Sequence, residues 1–264
     1  MIPRAHITEW SNHVPWQTNE QVEQDLIISR ALIEIFNDEF LSQHLAFRGG
    51  TALHKLYLQP QPRYSEDIDL VQIKSEPIKE TIQRIQEKLA FIGTSSVNVK
   101  RDNNTVVFKF VSEIEPIQNL KLKIETNCRE HFTVFGLQKM KFSVDSEWYK
   151  GECEITTYKL EELLGTKLRA LYQRRKGRDL FDLYVALKRR ELNIEEIIKC
   201  YKEYMQFSVG KVATQKEFMI NMEEKMKVPE FLGDITAIIR PDERDKYNQQ
   251  EAYELVKKEL IEKI

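Results

Sequence analysis

The sequence predicts an α+β chain in two parts, a mixed α/β half over residues 1–155 and a helical half over 156–264. Three observations carry that expectation. Residues 65–73 and 120–125 alternate polar and apolar side chains, as strands with one buried face do. Ile78, Ile82, Ile85, Leu89 and Ile92 form a 4-3-4-3 apolar stripe, which is helical spacing. Beyond residue 156 the patterning is helical throughout.

In chain order, Val22, Leu26, Ile27, Leu32 and Ile35 recur at mixed three- and four-residue spacing, which predicts a helix over about 19–39. Gly49-Gly50-Thr51 followed by Ala52-Leu53-His54-Lys55-Leu56 reads as a tight turn opening a short helix, and Gln59-Pro60-Gln61-Pro62 as a loop. In the 65–73 strand, Asp67 and Asp69 point one way and Ile68 and Leu70 the other. Ser75 is expected to cap the striped helix, with Pro77 in its first turn. Residues 97–101 and 105–111, joined by Asp102-Asn103-Asn104, predict a β-hairpin. In the 120–125 strand, Leu120, Leu122 and Ile124 face a core, while Lys121, Lys123 and Glu125 face away. Helices are expected over 158–176, 179–190, 194–207, 212–227 and 249–263.

Composition narrows the function classes. The chain has 264 residues, enough for a full hydrophobic core, and 41% of them are hydrophobic, which argues against a disordered chain. Forty Lys and Arg against 42 Asp and Glu give a net charge of −2, which excludes a uniformly basic nucleic-acid binder but not a local basic patch. Three cysteines without framework spacing (Cys128, Cys153, Cys200) read as free thiols of a reducing compartment. Neither a membrane span nor a signal peptide is visible, so a cytoplasmic protein is expected. The five histidines show no zinc-binding spacing.

Four features could carry chemistry. Asp67 and Asp69 share one strand face, about 7 Å apart at the Cα level. Like charges that close repel unless a cation lies between them. Mg²⁺ takes hard oxygen ligands, often one or two carboxylates plus substrate phosphates. The bland alternative is a solvated acidic turn. Glu125 lies on the non-core face of its own strand, and if the two strands are neighbours, three carboxylates line one side of a sheet. Gly49-Gly50-Thr51 would let the backbone approach a phosphate, although neither G-x-x-x-x-G-K-[ST] nor G-x-G-x-x-G is present. Lys167 falls within the apolar stripe of Leu163, Leu164 and Leu171, where it must snorkel or pair, and a triphosphate is one such partner. Finally, Arg174, Arg175 and Lys176 precede Gly177 at a helix–helix corner and are candidates for contact with an RNA backbone. Asp179 and Asp182, on the helix that follows, could orient Lys167 or an incoming hydroxyl. The alternative is a solvated basic turn beside a favourable acidic helix start.

Taken together, these segments resemble a known family. Phe47-Arg48-Gly49-Gly50-Thr51-Ala52-Leu53-His54-Lys55-Leu56 with Tyr64-Ser65-Glu66-Asp67-Ile68-Asp69-Leu70 resembles the first motif of the AbiEii-type nucleotidyltransferase toxins. Thr166-Lys167-Leu168-Arg169-Ala170-Leu171 and Arg178-Asp179-Leu180-Phe181-Asp182-Leu183-Tyr184 resemble the later motifs, and the likeness runs over about residues 20–190. It implies a DNA-polymerase-β-like nucleotidyltransferase fold with a mixed sheet, followed by a helical half that completes the active site. It also implies the toxin role of a toxin–antitoxin or phage-defence (abortive infection) operon, with a winged-helix antitoxin as partner. Carried over by position, Gly49, Gly50, Thr51 and Ser65 would cradle the triphosphate, Asp67 and Asp69 would hold Mg²⁺, and Glu125 matches the third carboxylate. Lys167 would contact the nucleotide phosphates, and Asp179 and Asp182 match the late acidic motif. The wider superfamily often has Gly-Ser close before D-x-D; here Gly-Gly-Thr stands further away.

The expected activity is Mg²⁺-dependent transfer of NMP from an NTP to an RNA or protein acceptor, the tRNA 3′ end foremost, with release of pyrophosphate. Asp67→Ala or Lys167→Ala is expected to abolish it without unfolding the chain. The competing readings are a metal-dependent nuclease, for which the Gly-Gly-Thr element is superfluous, and a non-catalytic module that binds a nucleotide or a partner.

Overall fold

A computed structural model of the chain describes residues 2–264. It divides into two compact units, one ending at Tyr158 and one spanning Lys159–Ile264.

The first unit is built on one seven-stranded mixed sheet. Its helices and strands are α1 (Arg4–Trp10), α2 (Asn19–Phe36), α3 (Glu39–His44), β1 (Leu45–Arg48), α4 (Gly49–Ala52, running on as a π-turn over Leu53–Tyr57), β2 (Asp67–Gln72), α5 (Lys79–Lys88), β3 (Ser95–Val99), β4 (Asn103–Val111), β5 (Asn119–Asn127), β6 (Leu137–Asp145) and β7 (Lys150–Tyr158). The strand order is β3-β4-β5-β2-β1-β7-β6. β2 runs antiparallel to β1 and parallel to β5, and β1 runs parallel to β7. The predicted alternation sets the buried face: Ile68 and Leu70 on β2 stand in register with Ile124 and Thr126 on β5, and Val106 and Phe108 on β4 continue the row. Burying each such aliphatic or aromatic side chain contributes about 1.5–3 kcal/mol.

Helix α2 touches β5, β6 and β7 and is buried on nearly all sides, which explains its mixed apolar spacing. Polar groups inside it are paired. Asp25, 1% exposed, accepts from Trp10 Nε1, Trp16 Nε1 and Lys55 Nζ at 3.2, 3.0 and 3.1 Å, which ties the N-terminal segment and the π-turn to α2. The helix ends at Phe36, before the predicted Asn37–Glu39, because Asp38 instead caps α3 by accepting from Leu41 N.

One expectation fails locally. Ser75 is exposed and caps nothing; α5 begins at Lys79, flanked by Ile78. Pro77 disfavours helical geometry at Glu76, so the helix starts beyond it. The hairpin is present, with its turn at 100–102 rather than 102–104. The patterning gives no expectation for residues 126–155, where the structure places β6 and most of β7.

The second unit is helical: α6 (Leu160–Gln173), α7 (Gly177–Arg189), α8 (Ile194–Val209), α9 (Gln215–Lys225), the short α10 (Pro229–Gly233) and α11 (Pro241–Arg244), and α12 (Gln249–Glu259). Asn193 caps α8, a Thr214/Glu217 capping box opens α9, and Asn248 caps α12. Gly165 lets α6 and α8 meet closely: a Cβ there would stand 2.4 Å from Cys200 Cβ and 2.9 Å from Ile197 O. The core is apolar (Leu164, Leu168, Leu171, Leu180, Phe181, Tyr201, Phe218). The three cysteines are free, and no helix of the described residues is long and apolar enough to cross a membrane.

Candidate functional site

In the first unit the candidate residues gather where β1, β2 and β5 lie side by side. Parallel pairing sets Asp67 opposite Lys123 and Asp69 opposite Glu125; antiparallel pairing sets Arg48 opposite Asp69. Cross-strand partners share a face, so Arg48, Asp69 and Glu125 form one row and Asp67 and Lys123 the next. The condition left open by the sequence, that the two acidic strands be neighbours, is met, in register.

The start of α4 is shaped by this row. Gly49 adopts φ +82°, and a Cβ on it would lie 2.0 Å from Asp69 Oδ2. Only glycine brings the backbone this close to that carboxylate. A Cβ on Gly50 would stand 2.7 Å from the Arg63 guanidinium and 3.3 Å from Ser65 Oγ. Thr51, 1% exposed, shares a 2.8 Å hydrogen bond with Ser65 Oγ and donates to the Asp67 carbonyl. Its hydroxyl thus ties the Gly-Gly turn to the start of β2.

Electrostatics mark the same place. Asp67 is pushed up to about 6, first by burial and then by the charges of Asp69 and Glu66, with Glu125 adding to the rise and Lys123 opposing it. Two crowded carboxylates whose mutual repulsion raises Asp67 are a donor set that a hard divalent cation suits. The third carboxylate is held differently: Glu125 Oε1 is 2.7 Å from Lys123 Nζ and 3.5 Å from Asn103 Nδ2. Among the described residues no three His, Cys, Asp or Glu side chains converge as a ready metal cluster. The set therefore fits a cation held by Asp67 and Asp69, with further oxygens from phosphate. Arg48 forms an ion pair with Glu130, which is 5% exposed.

The second unit builds a buried charge cluster. Lys167 Nζ lies 3.1 Å from Asp179 Oδ1 and 2.9 Å from Asp182 Oδ2. The lysine side chain is 7% exposed and both carboxylates are fully buried. Arg174 grips Asp179 with two bonds, Nε to Oδ2 at 2.6 Å and Nη2 to Oδ1 at 2.8 Å. Burial alone would raise Asp179, but Lys167 and Arg174 outweigh it and hold the carboxyl below its ordinary value. The apolar stripe does bury Lys167, and its partners are the two aspartates on α7. Removing Lys167 would take the shared cation from two buried carboxylates, leaving Arg174 on Asp179, so the expected fold-neutral Lys167→Ala is replaced by a destabilising one. Of the basic triplet, Arg174 is engaged by Asp179, Lys176 lies 3.5 Å from Asp234, and Arg175 is exposed.

Three residues of these groupings escape sequence reasoning. Arg48 and Lys123 enter the carboxylate rows only through strand register. Lys225 is 3% exposed and donates to the Leu171 and Tyr172 carbonyls, closing the end of α6; burial lowers it to about 8. The only local signal is a lysine in the last turn of α9.

Comparison with known proteins agrees on the fold. MenT4, a nucleotidyltransferase toxin from Mycobacterium tuberculosis, superposes with a TM-score of 0.57 at 16% identity, over 93% of each chain. A putative nucleotidyltransferase from H. pylori superposes with a TM-score of 0.52 at 17% identity, over 89% of this chain and 91% of the other. A comparison with curated proteins gives no match. The family described as nucleotidyl transferase AbiEii toxin, type IV toxin–antitoxin system, matches residues 30–254. With the match covering most of both units, the chain belongs to the AbiEii family of nucleotidyltransferase toxins.

Proposed function

We propose that this toxin transfers a nucleoside monophosphate from an NTP to an acceptor hydroxyl, foremost the 3′ end of tRNA, in the cytoplasm, with Mg²⁺ held by Asp67 and Asp69. The observation that supports this most is the register of Asp69 and Glu125 beside Asp67, with the Gly49 backbone pressed against Asp69. The acceptor oxygen bonds to the α-phosphorus, the bond from that phosphorus to the bridging oxygen breaks, and pyrophosphate leaves; the hydroxyl proton is lost to solvent. Mg²⁺, when bound, supplies positive charge against the phosphate oxygens and the leaving pyrophosphate.

The chain's own residues orient and neutralise. Gly49, Gly50 and Ser65 cradle the triphosphate, and Thr51 holds Ser65 and the start of β2 in place. Glu125 is the third carboxylate, available once its pair with Lys123 opens. Lys167, oriented by Asp179 and Asp182, is the proposed contact to the nucleotide phosphates. Arg175 and Lys176 are the RNA-facing cations; Arg174 serves Asp179 first. A winged-helix antitoxin is the proposed partner and phage defence the proposed setting.

The test is incubation of the protein with each labelled NTP, Mg²⁺ and total tRNA, beside Asp67→Ala. Label on tRNA that is lost in the variant supports the reading. Shortened RNA without label would replace it with a nuclease, and nucleotide binding with neither outcome would replace the tRNA acceptor with a protein one or the enzyme with a binding module.

A further inference from the structure

We infer that Lys123 is the resident counter-cation of the carboxylate face, holding Glu125 and coupling divalent-cation binding to the arrival of a nucleotide. This rests on the nucleotidyltransferase reading of Asp67 and Asp69. Lys123 and Glu125 are two residues apart on β5 and so share a face. Register places Lys123 opposite Asp67 and Glu125 opposite Asp69, so the lysine shares a face with three carboxylates whose charges act on its ammonium. It bonds Glu125 Oε1 at 2.7 Å. Burial works against its charge, but the hydrogen bond to Glu125 and the charges of Glu125, Asp67 and Asp69 together favour it.

Two consequences follow from charge alone. The ammonium supplies part of the neutralisation a divalent cation would supply, so a cation arriving alone gains less and meets Glu125 already engaged. A polyphosphate brings acceptor oxygens that compete with Glu125 for the same ammonium. When it takes Lys123, Glu125 is released and the face becomes more negative, which favours the cation. Nucleotide and cation then strengthen each other, with the coupling passing through one side chain. The lysine and glutamate are 34% and 29% exposed, so the pair has room to open. A pair this exposed contributes little to stability, so Lys123→Met is expected to fold.

The experiment is a Mn²⁺ titration followed by the electron paramagnetic resonance of free aqueous Mn²⁺. It uses the full chain as wild type, Lys123→Met, Lys123→Arg and Asp67→Asn, each checked for folding by circular dichroism. Each is titrated with and without α,β-methylene analogues of the four nucleoside triphosphates. Lys123→Met is expected to bind Mn²⁺ alone roughly tenfold more tightly than wild type, as removal of one adjacent positive charge requires. It should also lose most of the enhancement the analogue gives wild type, while Lys123→Arg retains it. If Lys123→Met matches wild type within about twofold while Asp67→Asn loses Mn²⁺, the inference about Lys123 is wrong and the site reading stands. If Mn²⁺ binding is indifferent to Asp67→Asn, the site reading fails and takes the inference with it.

Discussion

Replacing Gly49 with alanine should separate activity from stability. Gly49 sits at φ +82°, a left-handed backbone that costs an L-residue about 1–2 kcal/mol. The new methyl would also lie 2.0 Å from Asp69 Oδ2, where ordinary contact begins at 3.4 Å. The carboxylate oxygen must therefore retreat by about 1.4 Å or the turn must move, and a misplacement of about 1 Å at a reacting centre costs on the order of a hundredfold in rate. Gly210 provides the control. It has φ +70° at the end of α8, and a Cβ there meets nothing within 4 Å. Gly210→Ala thus carries the same backbone penalty without the intrusion. Both variants should lose about 2–8 °C in Tm, at roughly 2–4 °C per kcal/mol for a chain of this size. Only Gly49→Ala should lose about a hundredfold in the initial rate of label transfer from an α-labelled NTP. Equal melting points with rates within a fewfold of each other would refute the argument that Gly49 exists to seat Asp69.

Two further predictions concern buried charge. Lys167→Met leaves Asp179 and Asp182 buried without their shared cation, so urea unfolding should show a loss of about 3–5 kcal/mol together with loss of transfer; a change below about 1 kcal/mol would contradict the buried cluster. Glu23, 1% exposed with its Oε1 unpartnered, is pushed up to about 7 by burial. Its raised folded value means the penalty of ionising it is absent below about 4.5 and fully present above about 7. Glu23→Gln should therefore be more stable than wild type by about 1–3 kcal/mol at pH 8 and not at pH 4.5. A stability difference that stays flat across that range would rule this out.

Much of the site was legible in the sequence because alternation assigns faces. Asp67, Asp69 and Glu125 were placed on the polar side of their strands by periodicity alone, and Lys167 on the buried side of its helix. Alternation does not say which strands are neighbours or in what register. Opposing Asp69 to Glu125 requires β5 to return parallel beside β2 after a long crossover, and that pairing is what brings Lys123 opposite Asp67. The Arg48–Glu130 pair spans 82 positions and has no local signature. β1 is four residues long, too short for a period to show. β6 is an edge strand whose exposed Gln138, Lys139 and Lys141 dilute the apolar signal of Phe142 and Val144. The Ser75 cap failed for a different reason: a good capping residue was outweighed by the restriction that Pro77 places on its neighbour.

The central claim is that the bond broken in the nucleotide lies beyond the α-phosphorus, at a site organised by Asp67. Parallel reactions with α-labelled and γ-labelled NTP, Mg²⁺ and tRNA test it most directly, with Asp67→Asn beside wild type. The account predicts α-label on the RNA, γ-label in pyrophosphate, and neither with Asp67→Asn. γ-Label appearing on the acceptor, or α-label transferred equally well by a folded Asp67→Asn protein, would contradict it.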